Sequence, residues 1–157
     1  MQEYLHTGHE PDMEFVDGAL VERIQGEWLH ALVQSNILAA VRRKYPRVRV
    51  VVELRSKTAT TRYRIPDVSV LLAAPTTRHL LEAAFLVVEV LSEDDAMSRV
   101  MAKLQEYAAQ GVPNIWLVDP RLKMLSVYRP PALVGNSGRD RRHRGRRHRA
   151  VARRDLR

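Results

Sequence analysis

Residues 83–91 read A-A-F-L-V-V-E-V-L, an apolar run that holds one carboxylate, Glu89. A short continuous apolar run of this kind predicts a strand that is buried on both faces. An ionised carboxylate inside such a strand is strongly destabilising unless a cation or good hydrogen-bond donors compensate it. Glu89 is therefore expected to have a specific partner, and its strand is expected to lie at the centre of the fold.

A second acid precedes another apolar strand. Residues 64–67 read R-I-P-D, and residues 68–72 continue as V-S-V-L-L. Proline is tolerated at the start of a strand, so Asp67 is predicted to lie where this strand begins. Two acids on neighbouring buried strands predict a metal site.

The rest of the chain shows patterns of strands and helices. A helix is predicted at residues 26–45 because apolar residues recur there at helical spacing until Pro46. A second helix is predicted to end near Gln110, with residues 92–95 supplying capping side chains and Gly111 as the stop. Residues 57–63 are predicted to form a turn or an irregular hairpin. Strands are predicted at 13–22 (a hairpin around Asp17-Gly18), 48–54, 66–72, 85–91, 114–118 and 124–128.

The composition narrows the class of protein. The chain has 157 residues and no cysteine, which indicates one domain and excludes disulfides and thiolate metal sites. The longest apolar run, 83–88, is far too short to span a membrane, and the N-terminus lacks the features of a signal peptide. A cytoplasmic protein is therefore expected.

The net charge of +8 is confined to the last nineteen residues. Residues 139–157 contain ten arginines and two aspartates, and the preceding chain carries sixteen basic and sixteen acidic residues. We therefore divide the chain into a lead (1–12), a neutral globular domain (13–131) and a basic, disordered tail (132–157).

Two interpretations of the tail stay open. After Pro130-Pro131, residues 135–138 read as a flexible linker, and the Arg/His-rich segment beyond them cannot build a core. The segment is either a disordered arm that binds nucleic acid through phosphates, or an out-of-frame or truncated end from a GC-rich coding sequence.

Three motifs carry a family resemblance. They are R-I-P-D-V-S-V at 64–70, L-V-V-E-V-L-S at 86–92, and K-L-Q-E-Y-A-A-Q-G-V-P-N-I-W-L-V-D-P at 103–120. In this order and spacing they resemble the Uma-type restriction endonuclease family of the PD-(D/E)xK nuclease superfamily. The segments M-E-F-V-D-G-A-L-V-E (13–22) and G-E-W-L-H (26–30) fit the opening hairpin and first helix of that family.

The resemblance implies a fold, a reaction and a set of site residues. The implied fold class is α/β (α+β), a restriction-endonuclease-like core with a mixed central sheet flanked by helices. The implied reaction is Mg²⁺- or Mn²⁺-dependent cleavage of DNA phosphodiesters. Asp67 and Glu89 would ligate the metal with the Val90 backbone carbonyl, and hard cations prefer such oxygen ligands. DNA is the implied partner, and a homodimer would let such an enzyme cut both strands.

One position departs from the superfamily pattern. Leu91 stands where the superfamily usually has a catalytic lysine, two residues after the second acid. The resemblance implies that a lysine on the following helix substitutes, and Lys103 lies at the edge of the apolar face of that helix. Its ammonium could then orient the attacking water or stabilise charge on the phosphate.

Simpler roles stay open for each candidate. Glu89 could pair with Arg64, Asp67 could cap the turn after Pro66, and Lys103 could be a surface residue with a buried stem. Ser92 is better explained as a helix cap than as a nucleophile. Three weaker candidates for the site are Glu53, His30 and Glu27. The alternative function is a catalytically silent or truncated nuclease-fold protein that binds nucleic acid through its tail.

Overall fold

A six-stranded and a four-stranded sheet organise the chain, whose computed structural model describes residues 1–8, 12–23 and 27–136. The helices in this part of the chain are α1 (Gln2–His6), α2 (Trp28–Lys44) and α3 (Met97–Gln110). The strands are β1 (Met13–Val16), β2 (Ala19–Glu22), β3 (Arg49–Val52), β4 (Ser56–Ala59), β5 (Arg62–Arg64), β6 (Val68–Leu71), β7 (Leu86–Val90), β8 (Asn114–Asp119), β9 (Met124–Arg129) and β10 (Ala132–Asn136).

The larger sheet is mixed and has the strand order β10-β9-β8-β7-β6-β3. β7 and β8 are parallel because α3 connects them, whereas the other neighbours are antiparallel. Every residue of β7 is buried, which confirms the prediction of a strand covered on both faces.

The two long helices cover opposite faces of this sheet. Val88 and Val90 of β7 belong to an apolar cluster against which α2 packs, and Val87 and Leu91 belong to the cluster that includes the buried residues of α3. Side chains alternate between the faces of a strand, so Glu89 points toward α3.

The smaller sheet has the order β2-β1-β5-β4 and lies at the N-terminal side of the chain. β1 and β2 form the predicted hairpin, and both residues of its turn, Asp17 and Gly18, have positive φ angles, of 48° and 92°. Paired left-handed residues match the right-handed twist of the flanking strands. The predicted irregular hairpin at 57–63 is the β4–β5 pair, with a register shift between Lys57 and Ala59.

Two details differ from the sequence predictions. The capping residues predicted at 92–95 do not cap α3, because the Asp95 carboxylate accepts the Ser92 backbone N–H at 2.8 Å and Ala96 is the N-cap. The predicted tail begins too early, because residues 132–136 pair with β9 as an edge strand. The rest of the predicted tail lies outside the described residues.

No helix in the described ranges is both long and apolar enough to cross a membrane.

Candidate active site

Asp67 and Glu89 face each other across two central strands. Val68 pairs with Val88 in the antiparallel β6–β7 ladder, so the next opposed pair outward is Asp67 and Glu89. Both side chains are almost fully buried, and both line a cavity of about 250 Å³. The structure thus places the two acids of neighbouring strands, which the sequence singled out, in the lining of one cavity.

Asp67 is held as a carboxylate by three donors. Its Oδ2 accepts the Val90 backbone N–H at 2.7 Å, and its Oδ1 lies 3.0 Å from Arg23 Nη2 and 3.3 Å from His30 Nε2. Burial opposes the charge of Asp67, but the hydrogen bond from His30, the Val90 amide and the Arg23 guanidinium lower its pKa below the usual range. None of these three donors lies in the turn after Pro66. The contacts therefore do not support the alternative role of Asp67 as a cap for that turn.

Glu89 is held less firmly in its charged form. Its Oε1 accepts a hydrogen bond from the Tyr107 hydroxyl at 2.6 Å, and its Oε2 lies 3.5 Å from Lys103 Nζ. Burial raises the pKa of Glu89 to about 7, and the charges of Asp67 and Glu14 add to the rise against the opposing effect of Lys103. An additional positive charge beside Glu89 would therefore stabilise its ionised form at neutral pH.

Lys103 reaches inward from α3, as the sequence suggested. Its Nζ lies 2.9 Å from Glu14 Oε1, and it stands one helical turn before Tyr107, so both side chains meet Glu89 from the same face of the helix. Burial favours the neutral amine, but the carboxylates of Glu89 and Glu14 outweigh it and raise the pKa of Lys103. Lys103 is thus a fixed cation within the cavity.

Glu14 belongs to the site and was missed in the sequence. It is 2% exposed, and it accepts hydrogen bonds from the Ile65 backbone N–H at 3.1 Å and from Arg64 Nη1 at 3.0 Å. An acid in a short hairpin strand usually faces solvent, so the local sequence carries no signal of its burial. Only the pairing of β1 with β5 brings it against Lys103.

Arg64 is not the partner of Glu89 that the sequence left open as an alternative. Instead of pairing with Glu89, it binds Glu14 and makes two hydrogen bonds to Glu106 on α3, at 2.9 and 2.6 Å. This leaves Lys103 as the cation that faces Glu89.

Of the three weaker candidates, His30 lines the cavity, whereas Glu53 and Glu27 do not. His30 lies in the cavity and links Asp67 to Ser92, whose Oγ is 3.1 Å from His30 Nδ1. Glu53 is half exposed and lies 3.8 Å from Arg23 Nη1. Glu27 is not among the residues that line the cavity; its carboxylate accepts the Glu93 backbone N–H at 2.8 Å.

Ser92, His30 and Asp67 form a hydrogen-bonded chain that was not predicted from the sequence. The three residues are linked in the same order as in a serine-hydrolase triad. However, Ser92 is 3% exposed, and Asp67 is also bound by Arg23 and by the Val90 amide. These contacts fit a chain that fixes the orientation of Asp67 better than one that activates a nucleophile.

The donors of the cavity fit a hard divalent cation. Asp67 and Glu89 offer carboxylate oxygens, and the Val90 carbonyl lies on the same strand edge as the amide that binds Asp67. In the described parts of the chain, no group of three or more His, Asp or Glu side chains is suited to metal binding. Mg²⁺ is commonly bound through one or two carboxylates completed by water and substrate phosphates, so two acids are sufficient.

Fold and cavity together define a restriction-endonuclease-like protein. The chain matches, over residues 1–147, the model of the family described as "Uma2: Putative restriction endonuclease". It belongs to this family, which confirms the resemblance found in its sequence motifs.

A solved structure supports the fold. The crystal structure of a "putative nuclease belonging to DUF820" from Anabaena variabilis ATCC 29413 superposes with a TM-score of 0.74 at 24% identity, covering 85% of this chain and 82% of that chain. A cryo-EM structure of a DrdV–DNA complex matches with a TM-score of 0.41 at 16% identity, covering 66% and 67% of the two chains. Comparison with curated proteins finds no match.

Proposed function

We propose that this protein is a divalent-metal-dependent DNA endonuclease that hydrolyses phosphodiester bonds in its main cavity. The observation that carries the proposal is the opposition of Asp67 and Glu89 across β6 and β7, with Lys103 beside Glu89. The family membership supports a nuclease, and the donor set supports Mg²⁺ or Mn²⁺.

Each side chain has a role in this proposal. Asp67, Glu89 and the Val90 carbonyl would hold the cation, which when bound polarises the phosphate and acidifies a water molecule. Lys103 would orient that water and stabilise charge on the phosphate, since its ammonium is fixed between Glu14 and Glu89. Tyr107 and His30 orient the two carboxylates through their hydrogen bonds.

Calorimetric titration of Mn²⁺ tests the proposal without knowledge of a target sequence. We expect saturable binding by the wild type, and at least tenfold weaker binding, roughly the effect of losing one charged ligand, in both Asp67→Asn and Glu89→Gln. The matched control is Glu82→Gln, which removes an exposed carboxylate outside the main cavity.

Nicking of supercoiled plasmid DNA then tests the reaction. Cleavage should require Mn²⁺ or Mg²⁺ and should be lost in Lys103→Met, which keeps the length of the side chain without its charge. A well-folded wild type that binds no Mn²⁺, either alone or with DNA, contradicts the proposal.

The distribution of charge favours one alternative function. Because the whole excess of positive charge lies in residues 139–157, a silent nuclease-fold protein could bind nucleic acid through this segment alone. In that case DNA affinity is unchanged by Asp67→Asn and depends on the terminal arginines.

A further inference from the structure

Arg23 is a buried cation in the cavity, and within the described residues only one of its two terminal nitrogens has a hydrogen-bond partner. Its side chain is 7% exposed, and its Nη2 donates to Asp67 at 3.0 Å. Its Nη1 has no hydrogen-bond partner within the described residues and lies 3.8 Å from Glu53 Oε1, beyond hydrogen-bond distance. A buried donor without a partner is destabilising, which indicates that a missing group completes this site.

The chemistry of the unused donor favours a phosphate group. A guanidinium presents a planar fork of donors that matches the oxygens of a phosphate, and it keeps its charge at any physiological pH. The other buried cations of the cavity are already engaged: Arg64 binds Glu14 and Glu106, and Lys103 binds Glu14 and Glu89. The Nη1 of Arg23 is therefore a buried donor that an incoming oxyanion can use.

The guanidinium of Arg23 also donates a hydrogen bond to Asp67 Oδ1, an oxygen that a metal ion would use as a ligand. Arg23 lies against Asp67 Oδ1, so a divalent cation at Asp67 would be close to a second, fixed positive charge. Like charges at such a distance repel strongly in a buried site. An anion bound to Arg23 would relieve this repulsion and draw the guanidinium away from Asp67.

We propose that Arg23 couples the binding of metal to the binding of a nucleic-acid backbone phosphate. Without nucleic acid, Arg23 neutralises Asp67 and competes with the cation. When a phosphodiester enters the cavity, Arg23 binds its oxygens through the open Nη1 and releases Asp67 to the metal. This inference rests on the proposed function and adds the group that makes metal binding depend on substrate.

The test measures Mn²⁺ affinity by calorimetry with and without a short DNA duplex, whose integrity is checked on a gel. For the wild type we expect DNA to tighten Mn²⁺ binding about tenfold, within the usual range of coupling between two sites. In Arg23→Gln, Mn²⁺ should bind more tightly than in the wild type when DNA is absent, and DNA should add less than about twofold. The control Arg121→Gln removes an exposed arginine outside the cavity and should behave as the wild type.

A second variant protects the test against a folding defect. If Arg23→Gln loses cooperative unfolding, Arg23→Lys is used, because its ammonium keeps the charge beside Asp67 but lacks the fork that bonds two groups at once. Arg23→Lys should retain weak Mn²⁺ binding without DNA and lose most of the DNA-dependent gain.

The outcomes separate this inference from the function on which it rests. If the wild type binds Mn²⁺ and a folded Arg23 variant keeps the full DNA-dependent gain, the coupling role of Arg23 is wrong and the metal site stands. If the wild type binds no Mn²⁺ with or without DNA, the metal site is wrong and the inference falls with it.

Discussion

At the scale of the residue, the fold disfavours the charge of Glu89. Its pKa is raised to about 7 from an ordinary value of 4.5, first by burial and then by the neighbouring acids. The native state therefore holds the proton more tightly than the unfolded chain does. The stabilisation from protonated Glu89 is complete below about pH 4.5 and is lost as the pH rises through about 7.

We therefore predict that Glu89→Gln stabilises the metal-free protein at pH 8 but not at pH 4.5. A glutamine cannot ionise, so the variant should gain about 1 to 3 kcal/mol in the free energy of unfolding at pH 8. Urea unfolding of both proteins at the two pH values measures the difference. A variant that is less stable than the wild type at pH 8 would show that the Lys103 contact outweighs burial.

At the scale of elements, α3 joins the two sheets and carries the side chains that reach Glu89. Glu106, on the same helix, accepts hydrogen bonds from Arg64 and Arg62 of β5 and from Thr58 of β4. Burial raises the pKa of Glu106, but the hydrogen bond and charge of Arg64 dominate and lower it overall. This stabilisation is present above the unfolded pKa of about 4.5 and is lost as the pH falls below it.

Glu106→Gln should accordingly cost about 2 kcal/mol of unfolding free energy at pH 7, a typical value for a charged hydrogen bond. The difference from the wild type should shrink as the pH falls from about 4.5 through the lowered pKa of native Glu106, because the carboxylate is protonated first in the unfolded chain and then in the native state. Thermal unfolding across this range checks the prediction, with Glu82→Gln as an exposed control. An effect that is independent of pH would mean that packing, not charge, joins α3 to the small sheet.

The sequence predicts those parts of the fold and site that local patterns encode. Glu89 could be found because a carboxylate in an apolar strand is conspicuous, and the buried face of α3 follows from helical periodicity. Arg23 and Glu14 could not be found, because their partners Asp67 and Ile65 lie 44 and 51 residues away. β10 was missed because its Gly-Asn end resembles a linker, although an edge strand tolerates such residues.

At the scale of the whole molecule, the candidate site and the excess charge lie in different parts of the chain. The site is built from residues between Glu14 and Tyr107, and the net charge of +8 resides in residues 139–157. Metal binding and general affinity for DNA should therefore be separable by mutation.

Replacing the ten arginines of residues 139–157 by serine in the full chain should weaken binding to a DNA duplex and flatten its salt dependence. Each phosphate contact that is lost reduces the slope of log affinity against log salt by about 0.9, so losing several contacts changes the slope by several units. Fluorescence anisotropy across a series of salt concentrations gives this slope, and calorimetry should find Mn²⁺ affinity unchanged. If the slope stays at the wild-type value, the DNA contacts lie on the folded domain, and the silent-binder alternative loses its support.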